Sequence, residues 1–275
     1  MSLVILFYCK SISSFAQDPQ MTKWEVEADT LMNRQDFEGA AKLYSKIIDS
    51  SKLKTKEDFK SLYKRAIASY STGDIENALK DINQFSLEFP ESYQAHILAA
   101  LIYRQQGAVD QQLIELNKAL ELRDDNPQLR KWRGSLYMEK GENEIARRDF
   151  LTVRSLEDDP ELESNLGVVY YALEKPDSAL LCFNKSIELD AMYEPAYLYA
   201  GSFCLELERF DLALKYLNLA LLLDSENANA LFYKGIALVE LNRSEEGGRF
   251  LSKAFKAGQD DAGDYLKEHC YDIFK

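Results

Sequence analysis

Histidine and cysteine are scarce in this chain, at two and four of 275 residues. His96 and His269 stand far apart, and His269-Cys270 is a lone pair without further ligand spacing. A zinc site needs three or four clustered ligands, so none is expected. Glycine (12) and proline (6) are also few. The turns are correspondingly short and polar, as at Thr72-Gly73-Asp74, Gln106-Gly107-Ala108 and Lys140-Gly141-Glu142. No Gly-rich phosphate loop and no Gly-x-Ser-x-Gly elbow occurs. With no pocket to single out a carboxylate pair, no catalytic residue and no cofactor is expected. Basic residues are the minority, 33 against 46 acidic ones, for a net charge of −13. Nucleic-acid binding needs a basic footprint, which this balance opposes. Arg130 to Arg154 is locally basic but interleaved with Glu139, Glu142, Glu144 and Asp149, which reads as a solvated helix face.

Long apolar runs are missing too. Leu3–Cys9 is the one at the start of the chain, too short to cross a bilayer as a helix. Ser14-Phe15-Ala16-Gln17 follows, with small residues where a signal peptidase cuts. Residues 1–16 therefore read as a secretory signal, although no Lys or Arg precedes the apolar run. The expected protein is exported, periplasmic or secreted; if the leader is no signal, it is cytoplasmic. Without the leader Cys182, Cys204 and Cys270 remain, an odd count that opposes a full disulfide framework. Cys182 and Cys204 are expected as small core hydrophobes, with a bond between them as the other possibility.

What is present is a ruler. Ala66, Ala100, Gly134, Gly167, Gly201 and Gly235 are spaced by 34, 34, 33, 34 and 34 residues. A second ladder, Ala78, Gln112, Ala146, Ala179, Ala213 and Gly247, runs in step with it. Apolar residues follow helical spacing, as in Ala213-Leu214-Tyr216-Leu217-Ala220-Leu221. A period of this length implies stacked pairs of helices. Two helices approach closely only where one presents Gly or Ala, so the ladders mark the contacts within pairs.

Leu166, Gly167, Tyr170, Ala179 and Phe183, and then Gly134, Tyr137, Ala146 and Phe150, resemble the tetratricopeptide repeat (TPR) family. A first copy fits at Trp24, Ala28, Phe37, Ala40 and Tyr44. The resemblance implies an all-α fold, a right-handed superhelical α-solenoid of about seven helix pairs. The approximate repeats are 21–54, 59–92, 93–126, 127–159, 160–193, 194–227 and 228–261, within an array spanning 17–261. Residues 262–275, with Tyr265, Leu266 and Tyr271, are expected to cap the last pair. The first two copies are 38 residues apart, which places an insertion around Lys54–Asp58.

In the family the first helix of each pair lines a concave groove. The resemblance therefore places Tyr63, Ile67, Tyr70, Ile97, Leu101, Arg104, Lys131, Val168, Tyr171, Leu198, Phe232 and Ile236 on that face, with Ser164 among their neighbours. This set is apolar and aromatic, as an interaction site would be; packing between repeats is the competing role. Where the family's carboxylate-gripping mode needs Lys and Asn, the first copy has Glu25 and Asp29, so that mode is not expected. The implied function is a non-enzymatic scaffold holding an amphipathic or apolar protein segment. The other readings are a structural subunit of a cell-envelope or secretion assembly, including a homo-oligomer, and a carbohydrate-binding accessory.

Overall fold

The computed structural model describes residues 19–53 and 55–269. The expected signal segment, Cys9, Cys270 and Tyr271 lie outside them. Among the described residues every regular element is an α-helix. None is long and apolar enough to cross a membrane. The helices are grouped in two compact units that divide after Asp124.

The first unit contains α1 (Pro19–Asn33), α2 (Phe37–Ser51), α3 (Lys56–Thr72), α4 (Ile75–Glu88), α5 (Tyr93–Gln105) and α6 (Val109–Leu122). The second contains α7 (Pro127–Glu139), α8 (Asn143–Arg154), α9 (Pro160–Ala172), α10 (Pro176–Leu189), α11 (Glu194–Glu206), α12 (Phe210–Leu223), α13 (Ala228–Glu240), α14 (Ser244–Lys256) and α15 (Asp261–His269). The extra residues between the first two copies lengthen α2 and α3 to 15 and 17 residues. Side chains of Asp36, Thr55, Asp74, Ser92, Asn126, Asp159 and Asn227 accept hydrogen bonds from first-turn amides of the helices they precede. Each such cap satisfies a donor the helix leaves open. Pro127 and Pro160 open α7 and α9, where a missing N–H costs nothing.

The turn inside each pair needs one residue at positive φ. Gly73, Gly107 and Gly141 supply it without strain, but Gln35, Glu174, Glu208 and Asn242 occupy the same place at φ of 55–62°. The ladder of small residues marks the contact inside each pair. A Cβ on Gly134 would lie 2.6 Å from Phe150 Cε1, and one on Gly201 or Gly235 would lie 2.6 Å from Cγ of Leu217 or Leu251. Gly167 meets Phe183 in the same way. Gly247 is equally constrained, because its Cβ would reach Gly235 O at 2.7 Å. Phe150 and Phe183 are fully buried, and each stabilises the core by about 1.5–3 kcal/mol.

A second register escapes the apolar pattern. Sixteen residues separate Arg65 from Asp81, Arg133 from Asp149 and Lys234 from Phe250. Arg65 donates to Asp81 through Nε (2.7 Å) and Nη2 (2.8 Å). Arg133 donates to Asp149 through Nε (2.7 Å) and Nη2 (2.6 Å). Lys234 Nζ lies 4.0 Å from the Phe250 ring centre. Asp81 and Asp149 are buried. The basic stretch 130–154 is thus not merely a solvated face: Arg130 and Arg133 neutralise Asp149, and Arg154 binds buried Glu163. Burial raises the Glu163 carboxyl, against the pull of Arg154.

Cys182 and Cys204 are free and buried. Burial pushes their thiols up to about 12 and about 11. They serve as core hydrophobes. Helix α15 begins at Asp261, and its Ala262, Tyr265 and Leu266 pack on the apolar cluster of α13 and α14.

Candidate functional site

First helices of neighbouring pairs approach one another: α3 and α5 in the first unit, and α7, α9, α11 and α13 in turn in the second. Their outward side is therefore one continuous surface within each unit.

In the first unit Tyr63, Ile67 and Tyr70 are half-buried against the core of α3 to α5, with the Tyr63 ring 5.1 Å from Phe85. Ile97 is half-buried and Arg104 exposed. Leu101 is buried, so it offers no accessible surface. The first helix pair carries a polar site. Lys64 Nζ donates to Glu25 Oε1 at 2.8 Å and to both Asp29 oxygens at 2.9 Å. Tyr44 OH donates to Asp29 Oδ1 at 2.5 Å. Burial disfavours the Lys64 ammonium, yet the Glu25 and Asp29 hydrogen bonds prevail and hold its pKa above the ordinary value. Glu25 and Asp29 thus face an internal cation, which position matching alone could not reveal.

In the second unit a cleft of about 190 Å³ opens between α7 and α9, lined by Gln128, Lys131, Trp132, Ser135, Glu161 and Asn165. Lys131 does not reach freely into it, because Nζ is held by Asp159 (2.6 Å) and Glu157 (3.1 Å). Val168 is half-buried beside Phe183 and Phe203. Tyr171 is 40% exposed, and its ring stands edge-on to Phe203 at 5.3 Å. Leu198 is half-buried, and Tyr199 beside it is 38% exposed, 6.3 Å from Phe183. Phe232 and Ile236 pack in the cluster that α15 joins, with Tyr265 edge-on to Phe232 at 6.4 Å. Ser164 is buried and donates to Ser186 at 2.9 Å, so it belongs to the core.

Among the first helices the exposed aromatic rings are thus Tyr171 on α9 and Tyr199 on α11, with half-buried Trp132 at the cleft on α7. Trp132 and Tyr199 were not anticipated; each is one residue from the chosen Lys131 and Leu198, a turn of 100° on a helix. Around Tyr193 the surface is acidic. Burial raises the Tyr193 phenol to about 12, and the charges of Glu161, Asp159 and Glu194 add to this. Among the described residues no three His, Cys, Asp or Glu side chains are placed together so that they could hold a metal ion.

The stacked pairs define a class of helical repeat proteins. Tetratricopeptide repeat models match residues 63–127, 164–191 and 204–262, together more than half the chain. The chain belongs to the tetratricopeptide repeat family. No curated protein matches the sequence. Among solved structures, the C-terminal part of a TPR repeat-containing protein from Cytophaga hutchinsonii is similar in fold, with a TM-score of 0.68 and 17% identity over 88% of this chain and 98% of that one. A tetratricopeptide repeat protein from Parabacteroides merdae gives 0.64 and 14% over 91% and 98%. YrrB, a TPR protein with an unusual peptide-binding site, gives 0.53 and 22% over 68% and 97%.

Proposed function

We propose that this protein is a non-enzymatic protein–protein interaction scaffold that holds a segment of another protein on the first-helix side of its second unit. Arrays of this kind offer their stacked surfaces to partners. The observation that carries the reading is the exposure of Tyr171 and Tyr199 on the neighbouring first helices α9 and α11. Large rings packed on one edge and open on the other are what anchor interfaces. The peptide-binding site named for YrrB supports the same use of the fold. The reading includes export, on the strength of residues 1–16. An envelope-assembly role draws on that leader, and a carbohydrate-binding role on the tyrosine content together with the leader.

Panning a random peptide library on the wild-type chain and on a Tyr171→Asp/Tyr199→Asp variant tests the reading. Peptides that bind the wild type and lose the variant, with helicity unchanged, support it. Peptides that bind both equally would remove the site from this face.

A further inference from the structure

Each unit seats one lysine ammonium from a first helix between two carboxylates. Lys64 is seated between Glu25 and Asp29, with Nζ 5.9 Å from the Tyr44 ring centre. Lys131 is seated between Glu157 and Asp159. A third grouping of carboxylates and phenols lies next to the second. Glu161 lines the α7–α9 cleft, Glu194 follows on the first turn of α11, and Asp224 ends α12. Tyr193 and Tyr199 stand among them. Glu161, Glu194 and Asp224 form no ion pair among the described residues; Glu194 Oε1 accepts only from the Asn227 amide, at 3.2 Å. Burial raises the Glu194 carboxyl and the Asp224 charge raises it further. No ion pair among the described residues offsets that cost to Glu194, and Glu161 and Asp224 beside it are exposed.

We propose that this face takes a cationic amphipathic segment of a partner protein, its apolar side on Tyr171 and Tyr199 and its Lys or Arg side chains among Glu161, Glu194 and Asp224. The inference rests on the reading of this face as a peptide-binding face. Charge complementarity chooses the occupant: the adjoining acidic site of the same unit already holds Lys131, whereas Glu161, Glu194 and Asp224 pair with no cation among the described residues.

Three labelled amphipathic helical peptides test it, sharing one apolar face and differing only in having Lys, Gln or Glu at every polar position. Their affinities for the full chain are read by fluorescence anisotropy at low and high salt. The Lys peptide is expected to bind about tenfold more tightly than the Gln peptide at low salt, the yield of two partly exposed ion pairs. The advantage shrinks as salt rises. Glu161→Gln/Glu194→Gln removes most of it and leaves the Gln peptide unaffected. Asp177→Asn/Glu188→Gln changes the net charge equally on exposed positions of α10 and preserves it. Equal binding of the Lys and Gln peptides overturns the charge inference but leaves the apolar-face reading intact. An equal loss in both charge variants overturns it as well, leaving only general attraction to an acidic protein. Binding of none of the three overturns both readings. Self-association that displaces the peptides would make a second copy the occupant and also overturn the inference.

Discussion

Gly134→Ala puts the geometry of the repeat to a direct test. The position is helical, so the substitution alone favours the helix by about 1 kcal/mol. The packing argues the other way. The new methyl carbon would lie 2.6, 2.9 and 3.1 Å from Cε1, Cδ1 and Cζ of Phe150, against an optimum of about 3.5–4.0 Å. Phe150 cannot turn aside, because it is fully buried among Ala146, Val153, Leu162 and Leu166. Either α7 and α8 separate or the ring leaves its rotamer, at a cost of about 1–3 kcal/mol. The net expectation is a loss of up to about 2 kcal/mol. Trimming the ring in Gly134→Ala/Phe150→Leu restores a small-plus-aliphatic junction like that of Ala66 and Ile82, which share one core cluster. The two changes should therefore couple favourably by about 1–2 kcal/mol. Urea unfolding followed by Trp132 fluorescence and far-UV circular dichroism measures all four proteins. A rise in midpoint for Gly134→Ala alone, or strict additivity in the cycle, would refute the close-approach argument.

Glu174 and Glu208 hold the left-handed turn position at φ of 56° and 55°. Replacing either with Gly should raise stability by about 0.5–1 kcal/mol in the same unfolding assay. Asp149→Ala leaves Arg133 and Arg130 facing an empty site in the interior and should cost about 2–4 kcal/mol; Ala at exposed Glu144 on the same helix should cost under about 0.5 kcal/mol. His96 is buried, with Nδ1 2.6 Å from Glu115 Oε2 and Nε2 2.8 Å from the Pro90 carbonyl oxygen, so both ring nitrogens meet acceptors. The Glu115 hydrogen bond raises its pKa against the opposing effect of burial. Burial pushes the Glu115 carboxyl up, but hydrogen bonds from His96 and Lys118 outweigh it and hold that group below its usual value. The stabilisation from His96 is therefore complete below about pH 6.5 and disappears as pH rises through the higher folded-state value. Unfolding midpoints of wild type and His96→Gln should converge on moving from mildly acidic to mildly alkaline buffer.

The fold was legible because small residues repeat where helices touch. Gly134, Gly167, Gly201 and Gly235 each meet a large partner on the following helix, as their spacing implied. Gln112 and Gly247 departed from the second ladder for different reasons. Gly247 serves an even closer approach, whereas Gln112 is buried with Nε2 lacking a partner. The Arg65–Asp81 and Arg133–Asp149 pairs were hidden because apolar periodicity ignores charges turned inward. The candidate face was legible only by helix. On α7 and α11 the expected Lys131 and Leu198 stand one residue from Trp132 and Tyr199, and on α5 the expected Leu101 is buried. Exposure depends on how neighbouring pairs pack, and one residue of offset turns a side chain from interface to core. Lys64 and Lys131 show the same limit, since their carboxylate partners come from other helices or a loop distant in sequence.

The most direct test of the account asks which side of the second unit touches a bound segment. A photo-crosslinking benzoylphenylalanine is placed at Tyr199 on α11, or at Leu222 on α12, which is 79% exposed. Each protein is irradiated with a peptide selected on the wild-type chain. The account predicts cross-linking from Tyr199 and none from Leu222. Cross-linking from Leu222 with none from Tyr199 would contradict it.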